Sequence, residues 1–102
     1  MVNLCLAFLL SFTMMCNGAK NEGVASYYHD SLHGNLTANG EIYDKDKISV
    51  AHKHMEFGTI LWVRNPENGK SIVVRVNDRG PFIEGRDLDF SRRAAEELGM
   101  IR

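Results

Sequence analysis

The run "TILWVRNPENGKSIVVRV", residues 59–76, constrains the fold more than any other part of the chain. At its centre stands Asn68-Gly69, a pair in which both residues tolerate positive φ and so favour a tight reversal between antiparallel strands. Apolar residues recur at every second position on either side, with Ile60 and Trp62 before the turn and Ile72, Val74 and Val76 after it. A period of two marks strands with one buried face. The pattern predicts a β-hairpin with Ile60 and Trp62 turned toward the core. A chain with such a hairpin past its middle is organised around a sheet.

Other segments agree. "GVASYY" (residues 23–28) and "KISVAH" (residues 47–52) are further β-rich runs. Between them lies "HDSLHGNLTANGE", a polar loop long enough to suggest a functional rather than a merely connecting role. One helix is expected in "DFSRRAAEELGM", with Ser91 as N-cap, Gly99 just past the end, and Ala94, Ala95 and Leu98 as a narrow apolar stripe. A helix of about eight residues is marginal alone and must lean on the sheet. There is no internal repeat. The sum is a small, mainly β domain with one short helix, most economically a barrel, since closure removes exposed strand edges.

The amino-terminal segment differs from the rest. Residues 1–19 carry no charged side chain, and the apolar run over residues 4–12 has the size of an export-signal core. It is too short to cross a hydrocarbon layer of ~30 Å. The expectation is a signal peptide over residues 1–19 and one domain over residues 20–102, exported to the periplasm or cell envelope. The competing reading makes the run a strand or buried helix of the domain itself. Both cysteines, Cys5 and Cys16, lie in this leader, so its removal leaves 83 residues with no disulfide to stabilise them. A lipid anchor on Cys16 is a lesser alternative, because Thr13-Met14-Met15 lack the small residue such processing favours just ahead of the cysteine.

Charge excludes some partners. The 12 Lys and Arg residues are scattered among 13 Asp and Glu, with no polybasic patch, so nucleic acid and anionic membrane surfaces are poor partners. No span crosses a membrane once the leader is gone, and a monomer is expected. The four histidines, His29, His33, His52 and His54, lack metal-ligand spacing, so no metal and no cofactor is expected. Nucleophile-elbow and phosphate-loop motifs are missing, and no cysteine remains for thiol chemistry. What remains is carboxylate chemistry. Glu41 and Asp78 each stand at a turn beside a strand, with His52 as an orienting or proton partner. Two carboxyls in a partly dry cleft have their proton affinities driven apart, which suits one of them to act as an acid near neutral pH.

The clusters "TANGE" (residues 37–41), "AHK" (51–53), "FGT" (57–59), "NDRGP" (77–81) and the helix start "DFSRRAA" (89–95), in this order, resemble the rare lipoprotein A (RlpA) family. The resemblance runs over residues 23–100. It implies a six-stranded double-psi β-barrel, related in shape to expansins, with one or two short helices. It also implies an exported lytic transglycosylase of peptidoglycan, with Asp78 as general acid/base and Glu41 and His52 as further active-site residues. Thr37, Asn39, Tyr28 and Arg79 are the candidate glycan contacts, with loop closure the duller role for Thr37 and Asn39. Asp89 reads as a charge complementing the helix start. Family barrels continue past "LGM" into a closing strand, which leaves two expectations here: a truncated barrel with one open edge, or another element that fills the gap. Two functional classes stay open: a peptidoglycan-cleaving enzyme, and a non-catalytic glycan-binding or scaffolding barrel of the expansin kind.

Overall fold

The computed structural model describes residues 10–16 and 19–101. Six strands run in chain order as β1 (Leu10–Cys16), β2 (Ala19–Tyr27), β3 (Val50–Ala51), β4 (Ile60–Arg64), β5 (Ser71–Asp78) and β6 (Leu88–Phe90), followed by the helix α1 (Arg92–Glu97). A single 3-10 turn, Asp30–Leu32, sits in the long loop after β2. The strands close into a ring in the order β1-β2-β6-β3-β5-β4. Pairing is parallel between β2 and β6 and between β3 and β5, and antiparallel elsewhere.

The ring decides between the two expectations for its edge. The gap is filled, because β1 pairs with β2 on one side and with β4 on the other. Its backbone satisfies two strand edges that would otherwise present unpaired N–H and C=O groups. The strand comes from the segment read as a leader; residues 1–9 and 17–18 of that segment lie outside the described residues. Retained, the segment completes the barrel; removed, it leaves β2 and β4 as edges. Among the described residues no helix is long and apolar enough to cross a membrane.

The hairpin at Asn68-Gly69 forms as the turn chemistry requires, with Gly69 at φ 77° and β4 paired to β5. Its facing is the reverse of the expected one. Leu61 lies opposite Val74 and Val63 opposite Ile72, so Leu61 and Val63 enter the core with Ile72, Val74 and Val76. Trp62, opposite Val73, is on the outside with it and with Ile60, which is 55% exposed. Residues 60–63 are all apolar, so either phase satisfies the local pattern, and cross-strand register decides between them.

The helix forms where its caps predict. Ser91 accepts from the Ala94 N–H, and Gly99 follows the last turn at φ 74°. Ala94, Ala95 and Leu98 are buried against the strands together with Phe90 and Met100. A second, smaller cluster of Tyr28, Tyr43 and Ala51 sits apart from this core, beneath the loop after β2. The candidate site lies there.

The corrected facing of β4 has a direct consequence for stability. Leu61→Ala is expected to lower the unfolding free energy by about 2–5 kcal/mol, and Ile60→Ala to change it by no more than about 0.5 kcal/mol. Urea denaturation of the two variants checks this, and equal losses would contradict the observed register.

Candidate active site

Strand alternation sets up the site. Ala25 and Tyr27 of β2 point to or pack on the core, which leaves Ser26 and Tyr28 on the other face. On β6, Leu88 and Phe90 are core residues and Asp89 faces away from them. On β3, Val50 is in the core and Ala51 belongs to the second cluster. The β3–β5 pairing then slips by one residue: Val50 lies opposite Val76, whereas Ala51 lies opposite Asp78. The extra residue is Asn77. Such a bulge re-aims the side chain that follows it, and here it brings Asp78 into line with Ala51.

Asp78 is held on both carboxylate oxygens. Oδ2 accepts from the Tyr28 hydroxyl, and Oδ1 accepts from the backbone N–H groups of Ala38 and Arg79, each at 2.8 Å. Tyr28 is buried, and its ring meets Tyr43 edge to face with centroids 4.7 Å apart. Burial, followed by the Asp78 charge and the hydrogen bond to it, pushes the Tyr28 phenol far above its ordinary range, so its proton stays on the oxygen and points at Asp78. The two side chains line a hollow of about 220 Å³ with Leu36, Tyr43 and Arg79. Beyond the carboxylate the chain turns through Gly80 at φ 125° into Pro81.

Glu41 is elsewhere. It lines a second hollow, of about 470 Å³, with Asp44, Lys47, Arg75 and Asn77. Arg75 Nη2 lies 2.8 and 2.9 Å from its two oxygens, and Asn77 Nδ2 donates to it at 3.1 Å. These bonds, the one from Arg75 first, hold the Glu41 carboxyl below its usual range. Among the described residues Glu41 and Asp78 share no hydrogen bond; the turn bridged by Leu36 and Ile42 lies between their hollows. The partner of Glu41 is Arg75, which stands two residues before Asn77 on the same face of β5.

His52 touches Asp78 through backbone, its N–H donating to the Asp78 carbonyl at 3.2 Å. Its Nδ1 accepts from the N–H groups of His54 and Met55 at 3.2 and 3.1 Å, which requires a neutral ring protonated on Nε2. Burial first, and then the neighbouring His54 and Lys53, push its proton affinity down. Thr37 and Asn39 close their own loop. Thr37 Oγ1 lies 2.7 Å from Asn39 Oδ1, which also accepts from the Glu41 N–H at 3.0 Å. Arg79 pairs with no carboxylate among the described residues; its guanidinium lies over the Phe57 ring at 4.0 Å and donates to the His52 carbonyl at 3.4 Å. Asp89 is not a helix-start charge. It sits on β6, 2% exposed, accepting from the Ser26 hydroxyl.

The histidine makes a pH prediction. Above its unfolded value of about 6.5, His52 is neutral in both states and its folded contacts count in full. As pH falls through about 6.5 the unfolded chain takes up the proton first, so stability is lost toward acid. Depressed Glu41 acts in a lower window, below about 4.5, where its stabilising bonds are lost as the carboxyl is protonated. Melting temperatures measured at pH 7.5 and pH 5 are expected to fall by a smaller margin in His52→Asn than in the parent chain.

Comparison with known proteins follows the same lines. Residues 20–102 match the family model described as lytic transglycolase. The chain is 48% identical over 85 residues to the endolytic peptidoglycan transglycosylase RlpA of Vibrio cholerae, covering 83% of this chain and 32% of that protein. It is 42% identical over 85 residues to the protein of the same name from Pasteurella multocida, covering 83% and 29%. With the probable endolytic peptidoglycan transglycosylase RlpA of Treponema pallidum it shares 46% identity over 80 residues, covering 78% and 25%. The chain thus spans about a third or less of the length of these relatives. Its closed six-stranded ring is the barrel class that the resemblance implied. The chain belongs to the lytic transglycolase family and carries the RlpA-type double-psi β-barrel domain.

Proposed function

We propose that this domain cleaves the bond between N-acetylmuramic acid and N-acetylglucosamine in peptidoglycan glycan strands, leaving 1,6-anhydro ends. The observation that carries the reading is the Asp78 carboxyl, aimed into a hollow and fixed by Tyr28, Ala38 and Arg79, in a chain of this family. In its protonated form Asp78 gives its proton to the glycosidic oxygen as the bond to the anomeric carbon breaks. The muramic acid 6-hydroxyl then attacks that carbon, and its proton returns to Asp78. The enzyme ends as it began, and no protein nucleophile or placed water takes part. A well-set acid/base contributes typically 10²–10⁴-fold, with positioning and charge stabilisation of the oxocarbenium-like state supplying the rest.

The other expected site residues take supporting roles in this reading. Glu41, anchored by Arg75 and Asn77, steadies the turn whose Ala38 N–H holds Asp78. His52 fixes the Asp78 backbone. Thr37 and Asn39 keep that same turn closed, and Tyr28 and Arg79 border the hollow where glycan lies. The substrate of such a reaction belongs to the cell envelope, and the apolar run at residues 4–12 supports export to it.

Denuded glycan strands incubated with the chain are expected to yield 1,6-anhydro products detectable by mass. Asp78→Asn is expected to cut their rate by about 10²–10⁴-fold while glycan is still retained. Undiminished product from that variant would remove Asp78 from its role. Retention of glycan with no product from either chain would mark a binding barrel instead.

A further inference from the structure

The site has a second acid that the family reading does not use. Ser26, Asp89, Ala51 and Asp78 lie opposite one another on four adjacent strands, β2, β6, β3 and β5. Residues in register share a face, so the two aspartates face the same side with only the methyl group of Ala51 between them. Two strand spacings, about 10 Å between backbones, separate them. Alternate residues of β2 and its extension hold the two acids: the Ser26 hydroxyl donates to Asp89, and the Tyr28 hydroxyl donates to Asp78. Behind them Arg86, itself buried, lies with Nη1 3.5 Å from Ser26 Oγ, and its carbonyl accepts from the Lys53 ammonium.

We propose that Asp89 is a positioning residue for the acid: from its buried place in register with Ala51 and Asp78, it and Arg86 set how readily Asp78 releases its proton. This rests on the transglycosylase reading for its catalytic meaning, though not for the coupling itself. The groups facing Asp89 are Ser26 and Tyr28 from the β2 side, Asp78 across β3, and Arg86 from the loop before β6, with Lys53 beyond it. Two carboxyls on one face of a sheet influence each other's ionisation through their charges. Burial raises the proton affinity of Asp89 most; the hydrogen bond from Ser26 and then the Arg86 charge oppose it, and the Asp78 charge adds a smaller upward push. Asp89 does not line the hollow, so it acts through Asp78 and not on glycan.

The test is a carbon-13 NMR titration of the aspartate carboxyls in the full chain, read beside the pH–rate profile for anhydro product. Asp89→Asn removes a negative charge and is expected to move the midpoint of residue 78, and the alkaline limb of the rate, to lower pH. Arg86→Gln removes a positive charge and is expected to move both to higher pH. A shift of about one pH unit corresponds to a tenfold change in the protonated fraction. Opposite movements cannot come from general loss of stability. Unmoved midpoints in whichever variants remain folded, or movement of both in one direction, would overturn the proposal. Midpoints that move as expected in a chain that forms no product would uphold the coupling and sink the transglycosylase reading alone.

Discussion

The site depends on one misalignment. Were β3 and β5 in continuous register, Asp78 would follow Val74 and Val76 into the core. An ionised carboxyl among aliphatic side chains is costly enough that it would be forced to hold a proton or be excluded. The slip at Asn77 moves Asp78 to the face where a phenol and two backbone N–H groups await it. Asn77, the residue passed over by the slip, stays on the face of Arg75 and bonds Glu41, so the two hollows meet at this point of the strand. The barrel can then keep an aliphatic interior and still present a fixed acid at its rim.

The loop after β2 ties these features together. Tyr43 packs on Tyr28 from above and takes the Arg92 N–H on its hydroxyl, so the start of the helix, the loop and the acid are braced together. On the other flank the Glu41–Arg75 pair is about half exposed, where such bonds contribute only about 0–1 kcal/mol to stability. Its worth is geometric. It fixes the turn that offers the Ala38 N–H, and a carboxylate held by directed bonds needs little reorganisation when its charge changes.

What could be read from the sequence was what local chemistry decides. The Asn68-Gly69 reversal, the Ser91 cap and the Gly99 stop are short-range choices, and each formed where its residues required. The facing of β4 was not legible, because Ile60, Leu61, Trp62 and Val63 are all apolar and only the partner strand fixes the phase. Asp89 stands two residues before a cap and so looks like a dipole charge; its burial follows from pairing with β2 and β3, far away in the chain. The slip that aims Asp78 leaves no mark in composition at all. β1 shows the deepest ambiguity, since an apolar run suited to export and one suited to a strand are written in the same residues.

The tip of the β4–β5 hairpin also does something beyond reversing the chain. Asn65 and Asn68 both donate to the Leu98 carbonyl, at 2.8 and 3.1 Å, at the end of α1. Gly99 sits at φ 74°, and a Cβ there would displace the Asn68 amide from its bond to Leu98. The six residues of α1 are too few to be helical by themselves, and this clasp joins them to the hairpin. Turn and helix therefore form one cooperative opening unit, in which amide protons of the last helical turn exchange with solvent no sooner than the hairpin tip lets go.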